Sequence, residues 1–107
     1  ARDRARGPRL PLEFVVKRIS RDNAHALGLK DRGVLAAGKK ADVNVIDFGR
    51  LGLAMPKMHY DLPAGGKRLI QKADGYVATI VAGTPVYREG EATGALPGRL
   101  VRGAKAA

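Results

Sequence analysis

The sequence predicts an α+β fold, one N-terminal helix followed by antiparallel strands. Three observations carry that expectation. Leu12, Val15, Val16 and Ile19 recur at the spacing of one helical stripe. "ADVNVIDF", residues 41 to 48, alternates with a period of two. "GYVATIVAG", residues 75 to 83, is the strongest strand pattern of the chain and runs through a tight turn into "PVYREG".

Taken in order, residues 1–11 hold arginine, Gly7, Pro8 and Pro11 without apolar periodicity and read as a loop or severed linker. A helix is expected within 12–28. Pro11 suits its first turn, and Glu13 stands four residues before Lys17. Ser20 is expected to interrupt it, capping a second short turn through Ala24, Ala26 and Leu27 that Gly28 closes in the left-handed conformation. Residues 29–102 read as β structure. Ala41, Val43 and Val45 form one face of the first strand, while Ile46 and Phe48 make the opposite face apolar as well, so this strand needs cover on both sides. Residues 49–67 have no clear period and read as a long connection. "RLIQKA" is a short strand, and residues 76–82 and 85–89 pair as a hairpin with an edge or bulge at Pro85. A last short strand is expected at Leu100–Val101, before a tail at 103–107. About four such strands and one helix cannot cover both faces of a sheet.

The bulk properties agree with one domain at most. The chain has 107 residues, 45 % of them apolar, but only 5 % aromatic and no Trp, so any core must be aliphatic. With no Cys there is neither a disulfide framework nor a thiolate metal site, and the fold does not depend on an oxidising compartment. No apolar run approaches the ~20 residues of a membrane span, and nothing resembles a signal peptide. No membrane partner is expected, and the expected compartment is the cytoplasm. The chain begins at Ala1 rather than at methionine, so a removed upstream segment is expected.

Twenty Lys and Arg against ten Asp and Glu give a net charge of +10, which raises nucleic-acid binding as an alternative. The distribution weakens it. Four arginines crowd the first nine residues, Arg99, Arg102 and Lys105 lie near the end, and Lys17–Arg18, Lys39–Lys40 and Lys67–Arg68 are scattered between. Tyr60, Tyr76 and Tyr87 belong to no base-stacking motif. A basic, solvated surface is the better reading, and a small nucleic-acid or polyanion-binding module stays as the competing one.

Chemistry is sparse. The two histidines, His25 and His59, stand 34 residues apart and neither has a histidine partner nearby, so no zinc-ligand spacing exists. No catalytic residue and no metal ligand is assigned. His59, Tyr60 and Asp61, in "HYDLPAGG", are the candidate substrate-binding residues, as three polar groups on a long loop. "AGGKR", residues 64 to 68, is a turn before it is an anion nest, because no phosphate-loop spacing accompanies it. Asp42 and Asp47 read as turn and strand-end caps rather than a paired acid and base.

One stretch is nevertheless well marked. "ISRDNAHALGLKDRGVLAAGKKADVNVIDF" resembles the C-terminal region of metal-dependent amidohydrolases of the D-aminoacylase, or N-acyl-D-amino-acid deacylase, group. Ala24, Gly28, Leu29, Arg32, Gly33, Leu35, Gly38, Ala41, Asp42 and Asp47 carry the likeness. Asn23 stands where that group commonly has proline, and Ser20 where it has threonine. Gly83, Val86, Gly90, Thr93, Gly94, Pro97, Gly98 and Leu100 extend the match, with Ala82 replacing an asparagine. The resemblance covers residues 10 to 102. It implies that the helix is the last helix of a parent TIM-like barrel. The strands are then the C-terminal part of a small composite β-sandwich domain. The parent would hydrolyse an amide C–N bond, with zinc polarising the carbonyl and activating water and an aspartate moving the proton, all on barrel strands that precede this segment. It implies no cofactor in this chain and, as its partner, the missing N-terminal part of the parent. Without that part, self-association is expected through an open strand edge or the apolar helix face.

Overall fold

A computed structural model describes residues 8–102. Residues 1–7 of the expected linker, and the expected tail at 103–107, lie outside the described residues.

The chain turns helical after Pro11, whose extended backbone (φ −55°, ψ 139°) makes it the residue flanking the helix start. Its carbonyl accepts the first helical bond, from Val15 N at 3.2 Å. α1 (Leu12–Lys17) continues into a π-helical turn, Arg18–Asp22, and then α2 (Asn23–Ala26). Arg18, Asp22 and Asn23 all keep helical angles, so the break expected at Ser20 does not occur. Ser20 lies inside the widened turn, and the extra residue is absorbed there without ending the helix. The end falls where the sequence places it. Leu29 N donates to Ala24 O at 2.8 Å and Gly28 N to His25 O at 3.0 Å, with Gly28 at φ +69°. These two bonds form a Schellman cap.

The next loop folds back on this helix. Gly33, at φ +87°, lies so close that a Cβ on it would stand 2.6 Å from the Ala24 methyl. Ala24, 7 % exposed, is the buried hydrophobic side chain among the described residues. The loop closes on itself through Lys40 N to Asp31 O at 2.7 Å.

Among the described residues eight strands follow instead of about four. β1 (Val43–Ile46), β6 (Tyr76–Val81), β7 (Thr84–Arg88) and β8 (Glu91–Ala92) form an antiparallel sheet in the order β1-β6-β7-β8. Ala82 and Gly83, at φ 50° and 80°, make the tight turn between β6 and β7. Pairing shifts between Thr79↔Tyr87 and Ile80↔Pro85, which is the bulge expected at Pro85. The capping reading of the two aspartates holds. Asp42 Oδ1 accepts from Ala82 N at 2.8 Å and so ties the start of β1 to that turn. Asp47 Oδ1 accepts from Gly49 N at 3.0 Å, and its Oδ2 from Arg50 Nε at 2.8 Å.

Residues 49–67 are not a long connection. β2 (Gly52–Leu53) pairs with β5 (Ala73–Asp74), and β3 (Lys57–Leu62) with β4 (Gly66–Ile70). Ala54 N, donating to Lys72 O at 2.9 Å, joins the two ladders into one ribbon. The strand expected at Leu100–Val101 is absent. Residues 99–102 take no sheet pairing, and the last strand is β8. Gly94, Pro97 and Gly98 leave little run for a ladder.

The two-sided cover that the first strand needs is missing among the described residues. Val45 and Ile46 are exposed and Phe48 is 62 % exposed, while β6 is half-buried from Val77 to Val81. The helix stripe is open too, with Leu12 and Val16 exposed and Ile19 at 64 %. No helix among the described residues is long and apolar enough to cross a membrane.

Candidate functional site

The candidate residues lie on the β2–β5 ribbon. The sequence "KMHYDL" forms β3, then Pro63–Gly65 makes one 3₁₀ turn, with Ala64 at φ 58° and Gly65 at φ 71°. "GKRLI" returns as β4. His59, Tyr60 and Asp61 are therefore on a strand, not a loop. Tightly turned backbone at 63–65 sends the chain straight back, so the alternating run "KMHYDL" pairs with "GKRLI". Of the "AGGKR" segment, Ala64 and Gly65 lie in the turn at the ribbon tip, and Gly66, Lys67 and Arg68 open β4.

Pairing is interrupted where the polar residues sit. His59 faces Arg68 and Leu62 faces Gly66, so Tyr60 and Asp61 stand opposite the single residue Lys67. This β-bulge swings Asp61 onto Arg68. Arg68 Nε donates to Asp61 Oδ1 at 2.8 Å, and its Nη2 to Oδ2 at 2.6 Å. The fork geometry suits guanidinium and carboxylate. Arg68 holds the Asp61 carboxyl below the usual aspartate range, and Asp61 in turn raises Arg68. Tyr60 is 71 % exposed, with Met58, Leu62 and Leu69 also open. The ribbon is amphipathic and uncovered among the described residues.

The direction of the Asp61 shift fixes a pH dependence. A depressed carboxylate stabilises the fold above its ordinary pKa, and that contribution is lost as pH falls through the depressed value. Amide protection at Leu62–Lys67 is thus expected to hold down to the ordinary aspartate range and to fall below it. Arg68→Gln should show the weaker protection already at neutral pH. Hydrogen exchange across this range, corrected for intrinsic rates, checks it. Equal protection at every pH in both proteins contradicts it.

The other candidates do not converge on the ribbon. His25 is exposed on α2, Asp42 and Asp47 are capping residues, and among the described residues no group of three His, Asp or Glu could hold a metal ion. The zinc that the resemblance implies does not fit the residues described in this chain.

One gathering was not legible in the sequence. A cleft of about 490 Å³ brings Lys30, Asp31, Arg32, Lys40, Arg99 and Arg102 together at the helix end. They come from three stretches up to 72 residues apart, and nothing in the local pattern of any one of them signals the others.

Residues 2–87 match the amidohydrolase family. The chain is also 35 % identical over 94 residues to an allantoinase of Deinococcus radiodurans, a stretch covering 87 % of this chain. The chain spans 20 % of that relative's length. No solved structure matches it.

Proposed function

Because this chain belongs to the amidohydrolase family, we propose that it is the C-terminal structural part of a hydrolase acting on amide C–N bonds. The substrate class is an N-acyl-D-amino acid, as the residues from Ala24 to Leu100 that resemble the D-aminoacylase group imply. Zinc and the catalytic groups are then held by residues outside this chain, on a barrel whose last helix is α1–α2. The observation that carries the structural role is the uncovered apolar surface. The helix stripe around Leu12, Val16 and Ile19 and the strand residues Val45, Ile46 and Phe48 are all exposed. Surface of this kind marks a face that another layer covers. The missing N-terminal part of the parent is the layer proposed for both. In the assembled protein the ribbon reaches toward the substrate with His59 and Tyr60, while Asp61 is engaged by Arg68 and sets the tip.

The reading is tested by assaying the 107-residue chain, alone and within its full reading frame, against N-acyl-D-amino acids and allantoin after zinc loading. The chain alone should be inert and hold no stoichiometric zinc, and the longer protein should release free D-amino acid. Hydrolysis of allantoin instead would keep the family and overturn the substrate. A tightly held zinc in the short chain would overturn the structural role.

A further inference from the structure

The cleft at the end of α2 has a charge imbalance that its own residues do not relieve. Among the described residues, five cations line it, Lys30, Arg32, Lys40, Arg99 and Arg102, against the single carboxylate of Asp31. Asp31 is already engaged. Arg32 Nε and NH2 donate to its two oxygens at 3.0 Å each. Arg32 is thereby neutralised, and among the described residues Lys30, Lys40, Arg99 and Arg102 form no ion pair. Like charges gathered along low-dielectric walls raise the local concentration of anions. Among the described residues the remaining lining is aliphatic or glycine, Leu27 to Leu29 with Leu100 and Val101, and contains no aromatic ring. A nucleobase would find no platform on which to stack. The volume, about 490 Å³, lies in the range of small-ligand sites.

We infer that this cleft binds a small multivalent oxyanion, a phosphate or diphosphate group, through Lys30, Lys40, Arg99 and Arg102. The site joins the helix end to the C-terminal segment 99–102, which has no strand pairing to hold it. A bound anion would therefore fasten that segment to the helix.

Inorganic phosphate and pyrophosphate, titrated into the ¹⁵N-labelled chain at constant ionic strength, test this. Saturable shifts are expected at residues 27–32, 40 and 99–102, tighter for pyrophosphate. Lys30→Gln with Arg99→Gln should weaken binding by about tenfold or more, since each removes a charge-assisted contact. Lys17→Gln with Arg18→Gln, a cation pair outside the cleft, should leave the affinity unchanged. Linear shifts spread over all cations, or equal losses in the two double variants, would overturn the site. So would binding seen only with a single-stranded oligonucleotide and mapping to Lys17, Arg18 and Lys67, which would reassign the charge to a nucleic-acid face.

Discussion

Gly75→Ala is expected to destabilise the chain by about 2–5 kcal/mol, a large part of the stability of a domain this size. Gly75 joins β5 to β6 at φ +87°, where an L side chain costs roughly 1–2 kcal/mol in backbone strain. The strain is the smaller part. A Cβ would lie 2.8 Å from both Leu51 Cα and Leu51 N, and 2.9 Å from Asp47 O. All three are backbone atoms, so no side chain can rotate out of the way, and overpacking adds roughly 1–3 kcal/mol. The same corner carries the bond from Asp47 N to Gly75 O at 2.8 Å, which joins the ribbon to the sheet. Moving the backbone to make room would break it. Gly83→Ala is the control. Gly83 has a similar φ of +80°, but nothing lies within 4 Å of its added Cβ, so only the strain is felt. Urea midpoints of the two variants, compared at low salt, should differ clearly. Equal losses would mean that the Leu51 backbone yields and that the corner is soft.

The parts of the fold that could be read in advance are those with strong local periodicity or obligatory turn residues. The stripe of Leu12, Val15, Val16 and Ile19 predicts the helix, and Gly28 its end. The alternation of residues 76 to 81 with Gly83 predicts the hairpin. The ribbon was missed although "KMHYDL" alternates, Lys57, His59 and Asp61 against Met58, Tyr60 and Leu62, because "GKRLI" does not and an exposed two-stranded element has no core to make one face plainly apolar. The continuity of the helix across Ser20 was hidden for a different reason. A serine signals a cap equally well whether the backbone ends or merely widens, and the choice depends on the loop at Gly33 packing against Ala24, a tertiary contact.

The site was legible only in part. His59, Tyr60 and Asp61 were marked by residue type, and the structure brings Arg68 to Asp61, a pairing across a bulge that sequence spacing does not reveal. The basic cleft was beyond reach because its cations are distant in the chain. Charge composition reports how many there are, and only the fold reports where they meet.

We propose that this chain is built to be covered. Covering an exposed Leu, Ile, Val or Phe side chain completely is worth about 1.5–3 kcal/mol, and the stripe on α1 and the face of β1 offer several such half-open side chains. The outer edge of β1 has no strand partner among the described residues. For the chain by itself, a second copy is the nearest apolar cover. Opposing it is the net charge of +10 on each chain. At about 0.01 M salt the Debye length is ~30 Å and the repulsion acts across a whole interface, whereas at about 1 M it shrinks to ~3 Å. Association should therefore strengthen with salt, the reverse of what a complex held by ion pairs would do. Sedimentation velocity of the purified chain at these two ionic strengths is the direct measurement. Mostly monomer is expected at low salt, and dimers or larger species at high salt. A compact monomer under both conditions, with well-dispersed amide signals, would contradict it by showing that the chain closes its own core.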